Sequence, residues 1–151
     1  MAHSLRILVI SDTHDHLPRN LEQLAAGVDE IWHLGDVCAP ELLEVIRKLG
    51  PPVTLVQGNC DSSPWPPAVQ LERNGVRFRL THIPPPPRTV PPHCDVLLHG
   101  HTHVPRDEMF GGVRFLNPGC VTRPNRGAPA SAAHLGISAD GELTWSLVLL
   151  R

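Results

Sequence analysis

The sequence predicts an α/β fold, with a parallel sheet built first and a β-rich second half, in one domain over residues 1–151. Two observations predict it. Short β-branched runs alternate with stretches of helical spacing up to residue 56, and that order demands parallel strands joined by right-handed crossovers. Beyond it the pattern turns to hairpins with tight-turn dipeptides. Hydrophobic residues make up 41% of the chain, enough for a core without disulfides or a structural metal.

Arg6–Ser11 is a continuous apolar, β-branched run and reads as a buried strand. Leu17, Leu21, Leu24 and Ala25 then recur at helical spacing through Ala26, with Gly27 as the stop. Ile31–Leu34 is a second strand. Pro40 fits the first turn of a helix carrying Leu42, Leu43, Ile46 and Leu49 and ending at Gly50. Val53–Val56 is the third strand. Val69–Glu72, Asn74-Gly75 and Val76–Leu80 form a hairpin. Residues 84–92 hold six prolines, four of them consecutive, and exclude both helix and central strand. Asp95–Leu98 and Val113–Leu116 are further strands, and residues 133–150 form a hairpin turning at Asp140-Gly141.

Composition excludes several classes. A net charge of -2 argues against an extended basic face, so a long nucleic acid is not an expected partner. No apolar run approaches the ~20 residues that cross a bilayer. The run Ile7–Ile10 is too short for a signal sequence and meets Asp12 at once, so the expected location is the cytoplasm, with no membrane partner. Cys38, Cys60, Cys94 and Cys120 contain no CxxC pair and read as free thiols.

The chemistry-bearing residues each follow a short strand: Asp12 and His14 in SDTHD, Asp36 in GDV, Asn59 and Asp61 in GNCD, His82 in LTH, His101 and His103 in GHTH. Parallel strands share a carboxyl edge, where ligands bind. Asp12, His14, Asp36, Asn59, His82, His101 and His103 offer seven oxygen and imidazole donors. A tetrahedral zinc site needs about four. Seven donors with one bridging carboxylate suit two ions about 3.5–4 Å apart. Manganese, iron, nickel and zinc all accept such ligands.

Five motifs in this order resemble the calcineurin-like metallophosphoesterase superfamily, from Arg6 to about Pro124. GNCD and Asn117–Cys120 (NPGC), with the short length, are most similar to its small YfcE-type phosphodiesterases. The resemblance implies a two-sheet β-sandwich flanked by helices, in α/β/β/α order. It implies a dinuclear site, with manganese the first expectation. Asp12, His14 and His103 would hold one ion, Asn59, His82 and His101 the other, and Asp36 would bridge. It implies in-line attack on phosphorus by a metal-bridging hydroxide, with Asp36, Asn59, Asp61 and His101 as the catalytic set. The expected substrate is a small phosphodiester or nucleotide-like molecule, and a homo-oligomer is compatible with the family. The alternative is a catalytically weak scaffold similar to the retromer subunit of this fold, but a scaffold tolerates lost ligands and all seven are kept.

Two departures stand out. Cys60 occupies the position where the larger superfamily has a histidine, and a neutral thiol is a poor acid. Asp61 is expected to position the site. Ile83 and four prolines follow His82, where the family has glycine, so the flap there should differ. Asp12 and Asp36 as helix N-caps, and Asn59–Asp61 as a plain Asx turn, are the structural alternatives. His33 and His99 read as supporting or core histidines, and His3, His16, His93 and His134 as solvated. Cys120 reads as structural, Arg123 and Arg126 as surface residues within reach of a phosphate, and Trp65, Pro66 and Pro67 as an apolar wall for a base or aryl group.

Overall fold

A computed structural model of the protein describes residues 3–122 and 127–150. Ten strands form two five-stranded sheets. Sheet A has the order β10-β9-β1-β2-β3, from β1 (Leu5–Ile10), β2 (Glu30–His33), β3 (Val53–Leu55), β9 (Ser131–Ile137) and β10 (Leu143–Leu149). Sheet B has the order β4-β5-β6-β8-β7, from β4 (Ala68–Arg73), β5 (Val76–Thr81), β6 (Val96–Leu98), β7 (Arg106–Phe110) and β8 (Val113–Asn117). Strands β1–β2–β3 pair in parallel, as do β5–β6–β8, and antiparallel partners close the sheets.

Strand β1 shows why its run is continuously apolar. Ile7 and Val9 face the core between the sheets, against Phe78, Leu80, Leu98 and Leu135. Leu8 and Ile10 face the other way, onto Leu21, Leu24 and Ile46 of helices α1 (Leu21–Ala25) and α2 (Pro40–Arg47). A strand buried on both faces loses its period-2 alternation. Both helices cover sheet A, and the outer face of sheet B carries a smaller cluster of Cys94, Leu97, Val113 and Phe115. The proline segment lies over that outer face, sharing a cavity lining with Leu97.

Polar contacts fix the sheets to each other. Arg73 of β4 donates through Nε and a terminal nitrogen to Glu30 of β2, at 2.8 and 2.9 Å. Asn74, in the β4–β5 turn, donates to the carbonyl of Ser138, next to the β9–β10 turn, at 3.0 Å. Asn74 (φ 51°) and Gly75 (φ 81°) have the left-handed backbone that a two-residue hairpin turn needs.

Two elements differ from expectation. Helix α1 begins at Leu21, not Leu17, because Pro18 and Asn20 hold the chain in a turn ahead of it. Strand β7 was not expected. It pairs with β8 across Gly111-Gly112, but it lies at the sheet edge with a half-exposed to exposed sequence, RDEMF, that has no apolar alternation.

Candidate metal centre

The seven donors meet at the carboxyl ends of β1, β2, β3, β5 and β6. Asp12 is fully buried and Asp36 and His82 are nearly so, while Asn59 and His101 are exposed. One side of the cluster is therefore sunk in the protein and the other opens to solvent.

Five of the seven sit at positive φ: Asp12 (57°), His14 (43°), Asp36 (62°), His101 (71°) and His103 (62°). Such conformations cost about 1–3 kcal/mol each outside glycine and persist only where the surroundings impose them. Backbone contacts between loops impose them. The Asp12 amide donates to the Gly35 carbonyl at 3.0 Å and the His14 amide to that of Asp36 at 3.0 Å. The His101 amide donates to Asp12 Oδ2 at 3.2 Å, and Ser11 Oγ donates to the same oxygen at 2.6 Å.

The donors form two overlapping groups. Asp12, His14, Asp36 and His103 each offer a ligand atom within 4.8 Å of the others. His103 Nε2 lies 3.2 Å from Asp12 Oδ1, and His14 Nε2 lies 3.6 Å from Asp36 Oδ2. On the solvent side, Asn59 Oδ1 lies 2.8 Å from His82 Nε2 and 3.1 Å from His101 Nδ1. Asp36 Oδ2 is 3.3 Å from His82 Nε2, so one carboxylate oxygen faces both groups.

Their chemistry fits a cation. Nδ1 of His82 donates to the Leu34 carbonyl at 2.8 Å, which turns the lone pair of its Nε2 toward Asn59 Oδ1 and Asp36 Oδ2. Acceptors thus confront acceptors. Asp12 Oδ1 and His14 Nε2 are buried with no hydrogen-bond partner among the described residues. Burial raises the Asp12 pKa. Burial opposes charge on His82, but Asp36 and Asp12 outweigh it and raise its pKa. For Asp36 burial works upward too, yet contacts with His82 and the Cys60 amide bring it well below the usual range. A divalent ion is what such orphaned, converging donors accommodate.

Asp61 faces inward. Its carboxylate accepts the amides of Gly58 (2.7 Å), Asp36 (2.9 Å) and Cys38 (2.8 Å), tying the β3 loop to the β2 loop. It positions Asp36 and does not itself reach the open side. Neither Asp12 nor Asp36 caps a helix, since α1 starts after Asn20 and α2 after Ala39. Cys60 is exposed, and burial of its sulfur together with Asp36 raises its pKa, so it is a neutral thiol.

Supporting residues lie behind the donors. His33 is fully buried, accepts the Gly35 amide at Nδ1 (3.1 Å) and meets Thr13 Oγ1 through Nε2 (3.1 Å). His99 donates from Nδ1 to the Gly100 carbonyl (2.9 Å), and Nε2 accepts from Arg106 (3.1 Å). Asn117 of NPGC donates to the Gly100 carbonyl and to Thr102, and Cys120 donates to the Asp12 carbonyl. Thr13, and Thr122, whose hydroxyl donates to the Asp12 carbonyl at 3.2 Å, were missed in the sequence, where isolated threonines carry no signal.

One expectation needs correction. His134 is not solvated: it is half-buried in β9, with Nε2 2.8 Å from the Leu24 carbonyl of α1. The cavity that reaches His101 is lined by residues 84–89 and the β7–β8 hairpin. Arg123 and Arg126 lie outside the described residues.

Comparison with known proteins gives the family. The calcineurin-like phosphoesterase superfamily domain matches residues 5–140. Phosphodiesterase YfcE of Escherichia coli K12 is 33% identical over 159 aligned positions, covering 84% of this chain and 85% of its own. A probable metallophosphoesterase of Methanocaldococcus jannaschii is also 33% identical, over 80% of this chain and 70% of its own. The solved structure of E. coli YfcE, a phosphoesterase, superposes with a TM-score of 0.73 at 26% identity, covering 97% and 100% of the two chains. Vacuolar Protein Sorting 29 from Cryptosporidium parvum superposes at 0.76 with 23% identity, covering 97% and 99%, a likeness of fold alone. The chain belongs to the calcineurin-like phosphoesterase superfamily.

Proposed function

We propose that the protein is a divalent-metal-dependent phosphodiesterase. Asp12, His14 and His103 hold one ion, Asn59, His82 and His101 hold a second, and Asp36 lies between them. The observation that carries this reading is Asp36 Oδ2, which faces His14 Nε2 and His82 Nε2 at once, beside the partnerless Asp12 Oδ1. Two divalent ions supply an activated water and neutralise the phosphoryl oxygens when bound. Manganese suits the oxygen-and-imidazole donors, as do iron, nickel and zinc.

The chain's own residues do the rest. Asp36 is held ionised by the Cys60 amide at Oδ1, which leaves Oδ2 for the site. His82 is fixed in its tautomer by the Leu34 carbonyl, the outer-shell bond typical of ligating histidines. Exposed His101 and Asn59 stand where a phosphate arrives. With Cys60 a neutral thiol, protonation of the leaving alcohol has no strong donor at that position, which favours substrates with good leaving groups.

The test is hydrolysis of a chromogenic aryl phosphodiester and of its monoester, by chelator-treated protein with and without added manganese, beside Asp36→Asn. Manganese-dependent diesterase activity, reduced at least about a hundredfold in Asp36→Asn, is the expected result. A folded wild type inactive with every divalent ion would overturn the reading in favour of a scaffold.

A further inference from the structure

A cavity of about 1090 Å³ opens beside the candidate metal centre, between residues 84–89 and the outer face of the β7–β8 hairpin. His101 lies on its lining, so cavity and metal centre share a wall. We propose that this cavity binds the larger ester group of the phosphodiester, and that a nucleoside is the class of group it takes. The proposal rests on the phosphodiesterase reading and adds the substrate to it.

The lining is suited to a flat aromatic ring. Phe115, almost fully buried, carries the Arg106 guanidinium over its ring, 4.6 Å from the centroid. Arg106 is fixed there by His99 Nε2 and by the Glu108 carboxylate. A pinned guanidinium that also lines the cavity is a preorganised stacking surface for a base. Across from it stand four consecutive prolines, which offer apolar rings, no amide donors and little conformational entropy to lose. Phe110, 41% exposed at the hairpin end, extends the apolar wall. At about 1090 Å³ the space is as roomy as the largest common small-molecule pockets, which enclose about 300–1,000 Å³, so a nucleoside fits within it. Arg88, exposed at the rim with no carboxylate partner among the described residues, adds positive charge where a nucleotide approaches.

The test uses a binding arm and a kinetic arm. Thymidine is titrated into isotope-labelled, chelator-treated protein, and amide shifts are followed. In parallel, the p-nitrophenyl esters of thymidine 5′-phosphate and of methyl phosphate are hydrolysed with manganese; they share a leaving group and differ only in the retained ester. Phe110→Asp removes the exposed wall, and Val104→Trp fills the cavity should Phe110→Asp fail to fold. The expected result is thymidine-induced shifts along residues 101–115, lost in the variants, with KM for the thymidine ester raised about tenfold or more and the methyl ester little changed. Absent or unaltered thymidine shifts, or equal effects on both esters, would overturn the subsite and leave the phosphodiesterase reading standing. Thymidine shifts in a protein that hydrolyses neither ester would keep the nucleoside site and overturn the reading of the enzyme.

Discussion

His33 illustrates how a residue that touches no substrate shapes this protein's response to pH. Its ring is fully buried, with one nitrogen accepting the Gly35 amide and the other meeting Thr13. Burial presses its pKa down from 6.5 to about 3, and neighbouring His82 adds to this. The folded protein therefore refuses a proton that the unfolded chain accepts below about pH 6.5. Stability from this group is complete above that value and falls as the pH drops toward 3, by up to about 1.4 kcal/mol per pH unit. His99, pressed to about 4 by burial, acts with the same sign. In chelator-treated protein, the His33 ring resonances should stay at their neutral positions from about pH 7 to about pH 5, while the urea midpoint falls over the same span. A His33 titration midpoint near 6.5 in the folded protein would contradict the burial argument.

At the scale of elements, the loops that carry the donors are packed so closely that only glycine fits between them. A Cβ on Gly58 would run into the amide nitrogen and Oδ1 of Asp36, and one on Gly100 into Ser11 Oγ. The Asp36 amide is backbone and cannot step aside. Gly58→Ala should lower stability by about 2 kcal/mol or more, seen as a melting temperature reduced by several degrees, and displace Asp36 so that manganese-dependent hydrolysis is lost. Wild-type melting and activity in Gly58→Ala would show that the β2 and β3 loops are not locked together. These loops were legible because each motif keeps its residues in tandem after a strand: SDTHD follows β1 and GNCD follows β3. Strand β7 was illegible for the opposite reason. Arg106, Asp107 and Glu108 sit on an edge, where no buried face imposes a pattern, and only Gly111-Gly112 signalled the turn. Positive φ at Asp12, His14 and His101 was likewise invisible, since the amides of these residues are held by loops far apart in sequence.

Across the whole molecule, local pattern identified the β4–β5 and β9–β10 hairpins and the parallel order of β1, β2 and β3, but not how the hairpins join the sheets. Nothing in β9 announces that it pairs with β1, across the 120 residues between Ile10 and Ser131, so that the β9–β10 hairpin closes the edge. The family resemblance, carried by the ordered motifs, supplied the two-sheet arrangement that periodicity alone left open. The assembled sandwich then holds a destabilised site. Five donors sit at positive φ, and buried Asp12 Oδ1 and His14 Nε2 have no partner. The core between the sheets sustains that cost, and a bound cation would satisfy the two orphaned atoms. Two consequences follow for stability. Manganese at about a hundred times its dissociation constant should stabilise the chelator-treated protein by about 2.7 kcal/mol per site, which in a chain of this size raises the melting temperature by about 5–10 °C. Asp12→Asn, which replaces a buried acidic group by a neutral one, should melt at or above the wild type without metal and gain little when manganese is added, because its amide oxygen is a weaker ligand. Thermal scans of both proteins with and without manganese separate the outcomes. A metal-free Asp12→Asn that melts well below metal-free wild type, or that gains as much from manganese, would show that Asp12 serves the fold and not the ion.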